Sequence, residues 1–183
     1  MRTGKSKNVS REDLDLVVRM VKQCLREIAK KEYEIGNMRC LRPVTYKELR
    51  ENCMVYVKNI INQRSNFQRE GIFDSERNKI TINIEELAFA RRVIQMEKPY
   101  QGNYKEYASF NKDPVIGGFS TTNPEIYILA IVAHEVAHYI QKVYGKHTSY
   151  LKNTYEKTHG DGFKAVYRSL RRSIVNPLVK ETA

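Results

Sequence analysis

The chain has 183 residues, of which 41% are hydrophobic and 29% charged, and it carries a formal net charge of +11 with a pI near 9.6. This balance describes one globular domain with a sizeable core. No segment approaches the roughly 18 consecutive apolar residues of a membrane span, and the basic start MRTGKSKNVSRED lacks the apolar core of a secretory signal.

Cys24, Cys40 and Cys53 are an odd set with no CxxC pair, which argues against a disulfide framework or a zinc ribbon. A reducing compartment is expected, with the cytoplasm as the default. The basic excess fits a phosphate-rich partner, because neutralising phosphates releases counterions.

Residues 1–9 read as a flexible basic arm, and residues 10–183 as a single domain. Ser10 and Asp13 form a capping box before a helix with Leu14, Val17, Val18, Val21, Leu25 and Ile28 on its apolar side, running to about Tyr33. Residues 36–43 read as a loop. Thr45 and Glu48 open a second helix carrying Leu49, Met54, Val57, Ile60 and Ile61. Both helices place many Lys and Arg residues on their polar sides, which read as solvated faces. Cys24 and Cys53 fall inside these patterns as small hydrophobes.

In GIFDSERNKITINI, residues 71–84, Ile72 and Phe73 precede a polar turn, and Ile80, Ile82 and Ile84 then alternate with polar residues. That is the pattern of a hairpin. A helix follows from Glu85 to about Ile94. Residues 98–113, with Tyr100, Tyr104 and Tyr107, read as a long loop, and Val115 to Phe119 as an edge strand.

The next segment carries the chemistry. Thr122 and Asn123 are N-cap candidates, Pro124 suits the first helical position, and Gly145 suits the stop. Between them PEIYILAIVAHEVAHYIQKVY is apolar nearly all round, so it predicts a buried helix. Within it His134, Glu135 and His138 form a HExxH run. Residues four apart share a helix face, so both imidazoles can reach one ion, and Glu135 faces the side where a water would sit. A carboxylate there can take a proton from water and later deliver it to a leaving amine. Two core histidines with separate polar partners are the competing reading, at a real desolvation cost in so apolar a segment.

A catalytic zinc site wants three protein ligands and one open position. The candidates for the third are His147, Glu156 and His159. The metzincin spacing is absent, because position 144 is Tyr. His159 is favoured, since the glycines flanking Asp161 allow a sharp turn and Phe163 anchors a final helix with Val166, Tyr167, Leu170 and Ile174. Glu156 sits near a thermolysin-like spacing but also reads as an exposed loop carboxylate, and His147 as part of an exposed turn. Lys164, Arg168, Arg171 and Arg172 lie beside the apolar stripe of the final helix. They are the candidate nucleic-acid contacts, against the plainer reading of a solvated helix face.

HEVAH, a polar insert and then HGDGF resemble the SprT-like (Spartan-type) zinc metallopeptidases, whose pattern is HExxH, a variable insert, HGxxF and a helix. The resemblance covers roughly residues 70–175. It implies an α+β, zincin-like domain, mostly helical, with a small antiparallel sheet and a buried HExxH helix. It also implies one zinc ion on His134, His138 and His159, with Glu135 as general base, and proteolysis of proteins bound or crosslinked to DNA. No cysteine follows Cys53, so the zinc ribbon of many bacterial members is not expected, and DNA contact falls to the basic helices or the N-terminal arm. Tyr139, Tyr150, Tyr155 and Tyr167 are candidates to stabilise an oxyanion. A non-catalytic basic DNA-binding protein with a structural zinc is the alternative.

Overall fold

The computed structural model describes residues 1–31, 34–35, 38–39, 44–60, 70–110, 112–145 and 157–181. It combines helices with small sheets. Helix α1 spans Arg11–Ala29, and the Ser10 hydroxyl accepts the Asp13 backbone N–H at 3.0 Å. Its apolar side, including Leu14, Val17, Val21, Leu25 and Ile28, is buried. Helix α2 covers Tyr46–Asn52, with the Thr45 hydroxyl accepting from the Glu48 N–H at 3.2 Å.

The expected continuation of α2 to residue 61 does not occur. Cys53 turns extended, and Met54–Lys58 forms a strand. Val55 and Val57 are the residues it buries, a period of two that β-branched side chains favour. The spacing of Met54, Val57 and Ile60 imitates a helix only by coincidence.

Four strands make the main sheet: β1 (Arg2–Lys5), β4 (Met54–Lys58), β6 (Lys79–Asn83) and β5 (Gly71–Asp74), in that order. Strands β1 and β6 run parallel to β4, whereas β5 and β6 form the antiparallel hairpin anticipated from the sequence. The sheet is therefore mixed, not antiparallel. Residues 2–5, read as part of a loose arm, are its edge strand. Helix α1 supplies the crossover that a parallel β1–β4 pair requires. In the hairpin turn the Asp74 carboxylate accepts the N–H groups of Glu76 and Arg77, and Asn78 takes a positive φ of 49°.

Two further short strands pair with each other: β2 (Glu34–Ile35), just before the expected loop of residues 36–43, and β3 (Met38–Arg39), inside it. Helix α3 is Glu85–Gln95. The tyrosine-rich stretch after it is also more ordered than expected. Strand β7 (Gly102–Tyr104) pairs with β8 (Phe119–Thr121), and a short turn of 3-10 helix occupies Ala108–Phe110. Residues 115–118 are turn rather than strand, because the Asp113 side chain accepts the N–H groups of Val115 and Ile116. Gly118 lies so close to this ribbon that a Cβ would sit 2.7 Å from the Tyr104 carbonyl oxygen.

Helix α4, Pro124–Tyr144, is the axis of the molecule. Asn123 caps it through the Glu125 N–H at 2.9 Å. Nearly every position on it is buried, because it packs against α1, α3, β5, β6 and a following helix α5, Asp161–Leu170. A π-helical turn, Arg171–Val175, and helix α6, Asn176–Glu181, complete the chain. Cys24 and Cys53 are free and buried, and burial pushes both thiols up to about 12. Cys40 lies outside the described residues. Among those residues no helix is long and apolar enough to cross a membrane.

Removing residues 1–5 strips β1 from β4, a few ladder hydrogen bonds at roughly 0.5–1.5 kcal/mol each. The truncated protein is expected to lose on the order of 2 kcal/mol in urea unfolding. An unchanged midpoint would return the segment to the status of a loose arm.

Candidate metal centre

Helix α4 puts His134 and His138 one turn apart on one face, as the spacing requires. His159 arrives from the other side, just ahead of the Gly160 that caps α5. Phe163, fully buried in the first turn of α5, fixes that approach. Its ring lies 4.4 Å from that of His138 and 4.9 Å from those of His134 and His159, between centroids.

The three Nε2 atoms form a nearly equilateral triangle: 3.1 Å from His138 to His134, 3.1 Å from His138 to His159, and 3.3 Å from His159 to His134. Three nitrogens held tetrahedrally at about 2.0–2.1 Å from one ion lie about 3.3 Å apart, so the triangle fits an ion at its apex. Burial and the adjacent His134 push His159 down to about 4; burial, His134 and His159 push His138 down to about 2. Both rings are thus neutral near pH 7, the form that offers a lone pair. Three converging lone pairs cannot all be satisfied by one another, but one cation satisfies them together. His134, His138 and His159 are the group among the described residues that could hold a metal ion.

Glu135 is 6% exposed and lies beside the edge strand β5. The Phe73 backbone N–H donates to its carboxylate. An added Cβ on Gly71 would stand 2.6 Å from Glu135 Cγ and Oε1, so a side chain there would displace the carboxylate. Burial pushes Glu135 up to about 7, with Glu106 adding to the rise and His134 and the Phe73 N–H opposing it. The histidines and Glu135 open onto a cleft of about 900 Å³, bordered also by Glu70, Gly71, Phe73 and Tyr107.

Two contributors were hidden in the sequence. Glu106 Oε1 lies 3.3 Å from His134 Nδ1, and both side chains are buried. The half-exposed Tyr107 has its ring centroid 4.3 Å from that of His159. Both belong to the stretch read as loop, and no spacing rule links them to residues of α4.

The tyrosine candidates fare differently. Tyr139 points away from the site and donates to the Leu49 carbonyl at 2.8 Å. The Tyr167 hydroxyl is engaged with Tyr104 and Arg171. Tyr150 and Tyr155, like His147 and Glu156, lie outside the described residues.

The four basic residues of the last helix do not share one setting: Lys164 and Arg168 are partly exposed, Arg172 is exposed and Arg171 is buried. Arg171 is 2% exposed and bonds to the Gly117 carbonyl, Tyr167 and Asn176. Arg168 is held on Asp113, with contacts of 3.0 and 2.6 Å from Nε and Nη2. Burial alone would raise Asp113, but Arg168 and the N–H groups of Val115 and Ile116 hold it below its ordinary value. Lys164 rests its ammonium 5.5 Å from the Phe110 ring centre, and Arg172 is exposed. Cations gather instead on α1. Arg19, Lys22, Arg26 and Lys30 fall within an arc of roughly 80° at about 100° per residue, all wholly or partly exposed. Arg26 and Arg50 both lie over the Tyr46 ring, at 5.3 and 5.9 Å.

Comparison with protein-family models, curated proteins and solved structures finds no match.

The geometry sets an expectation for metal binding. The purified protein should take up one equivalent of divalent metal, and His159→Ala should lose it. At a free-metal concentration a hundredfold above Kd, binding raises unfolding stability by about 2.7 kcal/mol, and this increment should vanish in the variant. Equal metal-dependent stabilisation of both proteins would exclude His159 as a ligand.

Proposed function

We propose that the chain is a zinc-dependent endopeptidase of the SprT-like type, with a zincin-like domain. The observation that carries this reading is the triangle of Nε2 atoms beside a buried carboxylate, at the wall of an open cleft. His134, His138 and His159 hold the ion, which when bound supplies Lewis-acid polarisation of a carbonyl and lowers the pKa of a water.

The protein's own groups do the rest. Glu135 accepts the proton of the attacking water as its oxygen bonds to the scissile carbonyl carbon. It then delivers that proton to the amine nitrogen as the C–N bond breaks. The Phe73 N–H and the bare Gly71 hold its carboxylate against the sheet edge. Strand β5 is that edge, and an extended peptide in the cleft would lie along it rather than along residues 115–119.

The substrates are proteins, and the basic excess of +11 favours proteins carried on nucleic acid. The exposed cations of α1, more than those of the last helix, would form the surface to which phosphates bind. The competing reading is a basic binding protein with a structural zinc. Among the described residues three histidines and no fourth ligand meet at the cleft, which speaks against it, because structural zinc sites are closed by a fourth protein ligand.

Glu135→Gln separates the two readings. It should cut peptide-bond hydrolysis of DNA-bound proteins by about 10²–10⁴ while metal content and folding stay near wild type. Equal absence of cleavage by both proteins on several such substrates would favour the binding protein. For nucleic acid, affinity should fall steeply with salt. Replacing Arg19, Lys22 and Lys30 with Ala should flatten the slope of log K against log salt by about 2–3. An unchanged slope would remove α1 from the interface.

A further inference from the structure

We propose that Glu106 is a positioning residue for His134, and that a buried chain of hydroxyl groups ending at Arg171 holds Glu106 in place. The inference rests on the reading that His134, His138 and His159 hold a metal.

His134 turns Nε2 toward the other two imidazoles, so its proton belongs on Nδ1. Nδ1 faces Glu106 Oε1 at 3.3 Å, and the two side chains are 7% and 3% exposed. Neither His134 Nδ1 nor Glu106 Oε2 has a conventional hydrogen-bond partner among the described residues. A carboxylate buried in this way is costly unless positive charge lies close by. Metal on Nε2 would bring that charge to the far side of the same ring and make the Nδ1–H a stronger donor.

The other end of the carboxylate is equally determined. Tyr104 donates its hydroxyl hydrogen to Glu106 Oε1 at 2.6 Å. With that hydrogen committed, the 3.3 Å contact between Tyr104 and Tyr167 must be donated by Tyr167. Arg171 Nη1 then donates to the Tyr167 oxygen at 3.1 Å, while its Nη2 bonds to the Gly117 carbonyl at 3.0 Å. Every donor in the series Arg171, Tyr167, Tyr104 points toward Glu106. Hydrogen bonds aligned in this way polarise one another and add their field at the last acceptor. The chain explains why an arginine is buried in the π-helical turn, and it links that turn to the metal face of α4.

The test is metal binding, which does not depend on catalysis. Zinc affinity would be measured by chelator competition, and ligand geometry by the visible absorption of the Co²⁺-loaded protein. Glu106→Gln keeps size and an acceptor oxygen but removes the charge, and Glu106→Ala removes both. Affinity is expected to fall about 10–100-fold in Glu106→Ala, less in Glu106→Gln, with a changed Co²⁺ spectrum in each. Tyr167→Phe, which keeps the ring against His134 and removes only a hydroxyl bonded to neither Glu106 nor a ligand, should give a smaller loss of about two- to tenfold. If Glu106→Ala fails to fold, the near-isosteric Gln variant decides the matter. A wild-type protein that binds zinc, with Glu106→Gln matching it in affinity and Co²⁺ spectrum, would overturn the proposal and leave the metal site standing. A wild-type protein that binds no metal would overturn both.

Discussion

An imidazole or a carboxylate inside a helix that is buried on nearly every side costs free energy unless something compensates it, and α4 carries three such groups within five residues. Most of the fold near this helix answers that demand. His159 is brought in by α5 and pinned by Phe163, so that two histidine nitrogens become three. The edge strand β5 offers Glu135 an N–H from Phe73 and, through Gly71, the room to lie there. The β7 ribbon and the turn after it deliver Glu106 to the back of His134. A metal ion is the one partner that satisfies the converging nitrogens at once, and its charge would offset the buried Glu106.

The same demand explains how charge is distributed. Although the chain is strongly basic, carboxylates border the cleft. Burial pushes Glu70 up against the Tyr127 hydroxyl that it accepts, with Glu86, Glu106 and Glu85 adding to the rise. Four cations line one face of α1, while the partly exposed Arg168 and the buried Arg171 bond to Asp113 and the Gly117 carbonyl in the turn before β8.

Helix α4 was legible because its signals are local. Asn123, Pro124 and Gly145 mark its ends, the apolar run marks its burial, and HExxH marks its polar face. His159 was legible through the glycines and Phe163 that follow it. The hairpin of β5 and β6 was legible through alternation and its Asp74–Asn78 turn. What failed was read from short or ambiguous periods. Met54–Lys58 carries apolar residues that suit either a helix or a strand, and its pairing with β1 and β6 decides between them. Residues 2–5 have too little pattern to reveal a strand that exists only because β4 is there to pair with. Arg171 looked like a solvated cation because its position beside the apolar stripe is local information, whereas its partners Gly117, Tyr104 and Phe119 come from more than fifty residues away. Glu106 and Tyr107 were hidden for the same reason.

The central claim is that three histidines hold one zinc ion at the edge of the cleft. Anomalous diffraction on either side of the zinc absorption edge, from crystals grown with zinc, tests it most directly. The account predicts one peak about 2.0–2.1 Å from Nε2 of each of His134, His138 and His159, beside the Glu135 carboxylate. A map without such a peak, or a peak whose third protein ligand is a residue other than His159, would contradict it.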